Sequence, residues 1–148
     1  MKISKVRPVK TPERGTNRSA GIDFFIPDDF APCILYPQDR INIPSGIRAN
    51  VPTGYALIAY NKSGVTTKEG MVVGANVIDE DYTGEIHLNV INTGTSPITL
   101  QPGKKLLQCI LIPVFYDSVE LVDESNLFTE EELNQSERGS GGFGSTGA

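Results

Sequence analysis

The feature that most constrains this chain is the rhythm of its turn signals. Pro27-Asp28-Asp29, Pro44-Ser45-Gly46, Pro52-Thr53-Gly54, the run from Thr93 to Pro97, and Gln101-Pro102-Gly103 punctuate short apolar runs. Turn signals recurring about every 8–12 residues are the mark of a β-sandwich, jelly roll or barrel. The 10 prolines and 15 glycines belong to the same pattern, since a turn-rich chain is a chain of short strands. Residues 3–7, 19–27, 40–44, 46–51, 55–60, 98–100 and 105–114 read as extended. Residues 61–70 (NKSGVTTKEG) break the rhythm and have room for one or two helical turns. The fold class that follows is all-β: a jelly-roll-like sandwich or barrel with one short helix and a flexible Gly-rich C-terminal tail. No internal repeat is visible.

A chain of 148 residues suffices for one domain around one core. Its apolar stretches are shorter than the ~20 residues a membrane helix needs, and no signal peptide opens it, so a cytoplasmic protein without membrane association is expected. Cys33 and Cys109 have no Cys or His neighbour at metal-ligand spacing and read as reduced, buried small hydrophobes. His87, the one histidine, is expected at a surface or interface; a structural zinc site is excluded. Charge is unevenly spread over a net of −5. Six of the 13 basic residues fall within the first 18 positions, and eight of the 18 acids fall between Asp117 and Glu137. Nucleic-acid binding is not expected, because basic excess and interleaved aromatics are both missing.

Chemistry concentrates in residues 74–92 (GANVIDEDYTGEIHLNVIN). A turn-prone Gly-Ala-Asn leads into Val77 and Ile78, three consecutive acids follow, and an alternating strand leaves through Ile86, Leu88 and Val90. The pattern predicts two extended arms around a tight hairpin that bears carboxylates. Adjacent acids repel one another, so a purely structural turn has little use for three. A carboxylate held by rigid strands can serve as a general base; a solvated acidic loop is the plainer alternative.

Beyond Tyr116 the character changes. Residues 116–137 form an acidic linker in which Thr129 and Glu132 fit a capping box for a very short helix, and Leu121, Val122, Leu127 and Phe128 are free to pack against a neighbouring subunit. Residues 138–148 hold five glycines. Composition allows a flexible linker. It also allows a lid, because Arg138, the hydroxyls of Ser145 and Thr146, and unhindered N–H groups such as that of Gly144 suit a polyphosphate, while Phe143 could cover a flat base.

Taken in order, five stretches resemble the motifs of the trimeric dUTP pyrophosphatase (dUTPase) family. They are Ala20-Gly21-Ile22-Asp23; Asn61-Lys62-Ser63-Gly64; Val77 to Glu85; Gly103 to Gln108; and Arg138 to Gly147. The third and fifth are specific. The second departs from the family's Pro-Arg-Ser-Gly, since Asn61 replaces a stiffening proline and Lys62 keeps the charge of an arginine but not its bidentate fork. Asn76 stands where many members have glycine, at a turn where positive φ is expected and where asparagine is tolerated.

The resemblance implies a threefold homotrimer with active sites shared between subunits, a core at residues 1–115, and hydrolysis of dUTP to dUMP and pyrophosphate, which removes dUTP and supplies dUMP for thymidylate synthesis. Mg²⁺ would ride on the triphosphate, with no direct protein ligand and with Asp23 supporting its shell through water. Asp79 would activate the water that attacks the α-phosphorus, and Tyr82 would pack under the deoxyribose. The backbone of Gly74, Asn76 and Val77 would read uracil. Lys62, Ser63, Gly64 and Gln108 would meet the phosphates. Arg138, Ser145 and Thr146 would grip the γ-phosphate, beside Gly144, and Phe143 would stack on the base. Ser63 as a helix N-cap and Gln108 as a partner for sheet backbone are the structural alternatives.

Two rivals stand beside this expectation. A dCTP deaminase of the same superfamily would carry a segment like Ile-Thr-Leu-Glu on the strand after the acids, where this chain has Ile86-His87-Leu88-Asn89. A non-catalytic trimeric jelly-roll module would explain the strands but not Asp79 with Tyr82.

Overall fold

The computed structural model describes residues 1–142. It divides into a unit spanning Met1–Phe115 and a second beginning at Tyr116. The first unit holds eleven strands: β1 Lys2–Lys5, β2 Ile22–Phe25, β3 Cys33–Leu35, β4 Arg40–Pro44, β5 Ile47–Asn50, β6 Tyr55–Asn61, β7 Met71–Val73, β8 Val77–Ile78, β9 His87–Asn92, β10 Ile98–Leu100 and β11 Lys105–Pro113. One short helix, α1 (Ser63–Glu69), occupies the break in the turn rhythm and ends on Gly70 at φ 70°, a left-handed cap that glycine adopts without strain.

All pairings are antiparallel. Strand order is β2-β11-β6-β8 in the largest sheet and β4-β9-β7 in the next, with two-stranded ribbons β1-β5 and β10-β3. Period-two alternation sorts the side chains: β9 turns Leu88, Val90 and Asn92 inward and His87 outward. Phe24, Ile43, Ile47, Leu57, Leu88, Leu100 and Leu107 come from all four sheets and pack into one fully enclosed cluster. The fold is a jelly-roll-like all-β unit whose sheets do not close into a barrel.

Two strands, β3 and β7, have no counterpart among the expected extended runs. Each has only three residues, too few for a period to show. A larger correction concerns residues 74–92, which do not form a paired hairpin. β8 pairs with β6, whereas β9 is flanked by β4 and β7. Both edges of β9 are taken, so the acidic loop crosses from one sheet to another. Asn76 does not take the positive φ expected of it; among the described non-glycine residues only Gln38 does.

One irregularity sets up the site. The ladder between β11 and β2 pairs Lys105 with Phe25 but Leu107 with Phe24, leaving Leu106 as a bulge. The extra residue lets Leu106 and Leu107 both turn inward. It also places Lys105 and Gln108, three apart in sequence, on the face that carries Asp23.

In the second unit, Glu124–Asn126 forms a 3-10 turn and α2 spans Glu130–Gln135. Thr129 and Glu132 close the expected capping box: the Thr129 hydroxyl accepts from Glu132 N, and Glu132 Oε2 accepts from Thr129 N at 2.8 Å. No described helix is long and apolar enough to cross a membrane.

Candidate active site

The acids of the crossing loop are not equivalent. Glu80 Oε2 accepts the Gly54 N–H at 2.5 Å. Glu85 receives both Nε and Nη2 of Arg7, at 2.7 and 3.1 Å, and the Gly46 N–H at 2.7 Å. The Arg7 bonds hold the Glu85 carboxyl below its usual range, against the opposing effect of burial, and Arg7 itself is raised, chiefly by Glu85 and then by Asp29. These two carboxylates anchor the loop. Asp79 has no side-chain partner among the described residues; its carbonyl accepts the Tyr82 N–H and closes the turn.

Asp79 borders a pocket of about 240 Å³ with Asn42, Ala75, Asn76, Val77, Ile78, Tyr82 and residues of β9. The Tyr82 hydroxyl donates to Glu85 O at 2.8 Å. Its ring lies so close to Gly84 that a Cβ there would come within 2.6 Å of it. The ring is thus fixed as one wall. The pocket is smaller than the ~300 Å³ and upward usual for a whole ligand. A larger opening of about 340 Å³ shares Tyr82 and includes Lys2, Arg48 and Glu80. Its carboxylate is the anchored Glu80, whereas the smaller pocket is bordered by the unpartnered Asp79.

The arm entering the loop is held from both sides. Gly74 N donates to Asn89 O at 3.0 Å, Ala75 N donates to Asn89 Oδ1 at 3.1 Å, and Asn76 O accepts from Ala59 N at 2.8 Å. Neither Asn42 nor Asn89 belongs to the expected site. The two are paired across β4 and β9, a relation the sequence shows only once the register is known. His87 is exposed and borders the same pocket.

A second cluster forms around Asp23. Its residue is 2% exposed, and Lys62 Nζ and Lys105 Nζ reach its two oxygens at 2.7 and 2.8 Å. Burial pushes the Asp23 carboxyl up, but the bonds from Lys105 and Lys62 together hold it below the usual range. Lys105 is raised in turn by its bond to Asp23, and its ammonium lies 5.5 Å from the centre of the Phe25 ring. Two ammonium groups on one carboxylate leave a net positive charge there.

Gln108 Nε2 donates to Asn61 O at 2.9 Å, and Gly21 is packed so closely on Gln108 that a Cβ would fall 2.1 Å from Oε1. Asn61 replaces the rigidity of a proline with a side-chain bond, accepting Val73 N at 2.7 Å. The N-cap of α1 is Lys62, without a side-chain cap bond. Ser63 is therefore not the N-cap but the first helical residue, with Gly64 in open space behind it.

The expected residues fall into two groups: Asn76, Val77, Asp79 and Tyr82 around the pocket, with Gly74 on its arm, and Asp23, Lys62 and Gln108 at the bulge. In the second unit Arg138 Nε donates to Gly141 O at 2.8 Å. The expectations for Phe143, Gly144, Ser145 and Thr146 lie outside the described residues. Among the described residues no three Asp, Glu, His or Cys side chains gather as a metal-holding set.

An unpartnered carboxylate bordering a pocket with one aromatic wall, together with a cationic cluster, on a jelly roll, supplies the groups that a nucleotide-hydrolysing β protein needs. The dUTPase family model matches residues 7–147. The chain belongs to the dUTPase family. It is 39% identical over 139 residues to the deoxyuridine 5'-triphosphate nucleotidohydrolase of Aeromonas salmonicida, covering 92% of this chain and 86% of that protein. The Chlamydia pneumoniae enzyme of the same name is 38% identical over 139 residues, covering 93% and 90%. Among solved structures, the dUTPase of Staphylococcus bacteriophage 80alpha with dUpNHpp superposes with a TM-score of 0.84 at 22% identity, over 99% of this chain and 98% of that one. A variant dUTPase of phage phi11 of S. aureus, a structure described as revealing how a structural Mg(II) ion is coordinated, gives 0.74 at 21% identity, over 83% and 96%. These two likenesses are likenesses of fold.

Proposed function

We propose that this protein hydrolyses dUTP to dUMP and pyrophosphate, with Asp79 as the general base. The observation that carries this assignment is the contrast among neighbouring acids: Glu80 and Glu85 are spent on the scaffold and Asp81 does not line the pocket, while Asp79 borders it beside the fixed ring of Tyr82. A water oxygen attacks the α-phosphorus, the bond from that phosphorus to the bridging oxygen breaks, pyrophosphate leaves, and the water proton passes to Asp79.

Tyr82 forms the deoxyribose wall and crowds out a 2′-hydroxyl. The backbone groups of Gly74, Asn76 and Val77 not engaged within the chain read the uracil edge. Lys62, Ser63, Gly64 and Gln108 contact the phosphates, with Asp23 positioning Lys62. Mg²⁺, when bound to the triphosphate, would partly neutralise its negative charge. The donor set fits a metal held mainly by phosphate oxygens, since both Asp23 oxygens already accept from lysines.

In this proposal three chains of a homotrimer share each site, as the family resemblance implies. Residues 1–115 are the core and 116–137 a linker. Residues 138–148 are a lid whose Arg138, Ser145 and Thr146 take the γ-phosphate, with Gly144 between them and Phe143 over the base. The protein acts in the cytoplasm.

Pyrophosphate release with Mg²⁺, measured on dUTP beside dCTP, dTTP and UTP, tests the assignment. Release from dUTP alone supports it. Ammonia from dCTP would identify a deaminase, and no turnover of any of the four would leave a binding protein.

A further inference from the structure

We propose that Asn89 is the positioning residue that sets base discrimination, by fixing how far the Gly74–Asn76 arm stands from the pocket; this inference rests on the dUTP-hydrolase assignment above. Asn89 reaches the arm twice. Its backbone carbonyl accepts the Gly74 N–H at 3.0 Å, and its side-chain oxygen accepts the Ala75 N–H at 3.1 Å. An amide N–H can only donate, so the Asn89 oxygen must face Ala75 and its NH₂ must face the other way. There it lies 3.4 Å from Oδ1 of Asn42, directly opposite on β4. On its far side the arm is held at Asn76 by β6. The short segment between these anchors has little freedom, and its setting decides how much space a base edge meets.

Contact between the arm and Asn89 is close enough that a side chain at Gly74 would have to displace the Asn89 amide. A Cβ on Gly74 would fall 2.0 Å from the Asn89 side-chain oxygen and 3.2 Å from its Cγ, while its next neighbour, Ile91 Cδ1, is at an ordinary 3.6 Å. Gly74 does not have positive φ, so what a side chain there would meet is the Asn89 amide and not backbone strain. A base lacking a 5-methyl group fits against an arm at this distance. An arm released from Asn89 would hold uracil less firmly and would discriminate less against a methylated ring.

The obstruction at Gly74 supplies the test as a double-mutant cycle. Asn89→Ala is expected to raise KM for dUTP about tenfold, with kcat within about twofold, as for the loss of an interaction that ground state and transition state share. The ratio of kcat/KM for dUTP over dTTP should fall by a similar factor. Gly74→Ala, which forces the same side chain aside, should give the same KM and the same loss of discrimination. In Gly74→Ala/Asn89→Ala the obstruction is gone, so the double variant should be no worse than Asn89→Ala alone.

Thermal midpoints measured on the same samples separate misfolding from misplacement. An Asn89→Ala enzyme with unchanged KM and unchanged dUTP:dTTP ratio overturns the inference. Multiplying effects in the double variant, or equal falls in kcat and the midpoint without loss of discrimination, overturn it as well. A wild-type protein inert toward dUTP would overturn this inference together with the assignment it rests on, a pattern distinct from an active wild type with indifferent variants.

Discussion

Lys62 Nζ lies 2.7 Å from one oxygen of Asp23, and the other oxygen is held by Lys105 at 2.8 Å. Asp23 therefore keeps one ammonium partner if Lys62 turns toward a phosphate, and the double pairing lowers the cost of that turn. An arginine at Lys62 would offer a planar pair of parallel donors without giving up charge. Lys62→Arg is expected to leave kcat/KM for dUTP equal or higher, and Lys62→Met to lower it by about 10–100-fold, the range for a hydrogen bond to a charged group. Steady-state kinetics on both variants check this; a large loss in Lys62→Arg would mean the cluster is fitted to a point charge.

Asp79 is the acid of the loop that is both unused by the scaffold and at the pocket; Asp81, also without a side-chain bond among the described residues, does not line it. Asp79→Asn should cut kcat by about 10²–10⁴, the usual contribution of a general base, while binding of a non-hydrolysable dUTP analogue stays within about threefold. Titration calorimetry beside the rate assay separates the two. A near-normal kcat would remove Asp79 from the role.

The Arg7–Glu85 pair gives stability a pH dependence of known sign. Glu85 has its folded value held below the ordinary 4.5, mainly by Arg7, so its contribution is present above about pH 4.5 and is lost as pH falls through the folded value. Asp23, lowered from 3.8, acts in the same direction slightly further down. The unfolding midpoint should therefore decline below about pH 4.5, and Glu85→Gln should be less stable at neutral pH with a shallower decline. An identical slope in Glu85→Gln would show that other acids carry the acid sensitivity.

Removing residues 138–148 should leave the melting midpoint of the core unchanged and abolish most turnover. In the proposed lid role the tail would contribute water exclusion and phosphate contacts during catalysis and not folding energy. Full activity in the truncated protein would return the segment to the status of a linker.

Much of the strand order was legible because it rests on local rules. Arg40–Pro44 and Ile98–Leu100 fall where turn residues bound short apolar runs, and α2 begins at its capping box. Asp79 and Tyr82 were legible as a motif. Asn89, Asn42 and Lys105 were not, because each acts through a neighbour distant in sequence: Ala75, Asn89 and Asp23.

By itself, then, the sequence determined an antiparallel β fold, the place of its acidic loop and the chemistry its motifs resemble, since turn chemistry, side-chain period and residue identity are properties of short stretches. Tertiary structure decided which acids are free, that the acidic loop crosses between sheets instead of closing a hairpin, and that a one-residue bulge turns Lys105 and Gln108 toward Asp23. Those outcomes depend on strand register and on which edges are already paired, and both are settled only when residues far apart in the chain compete for the same backbone partners.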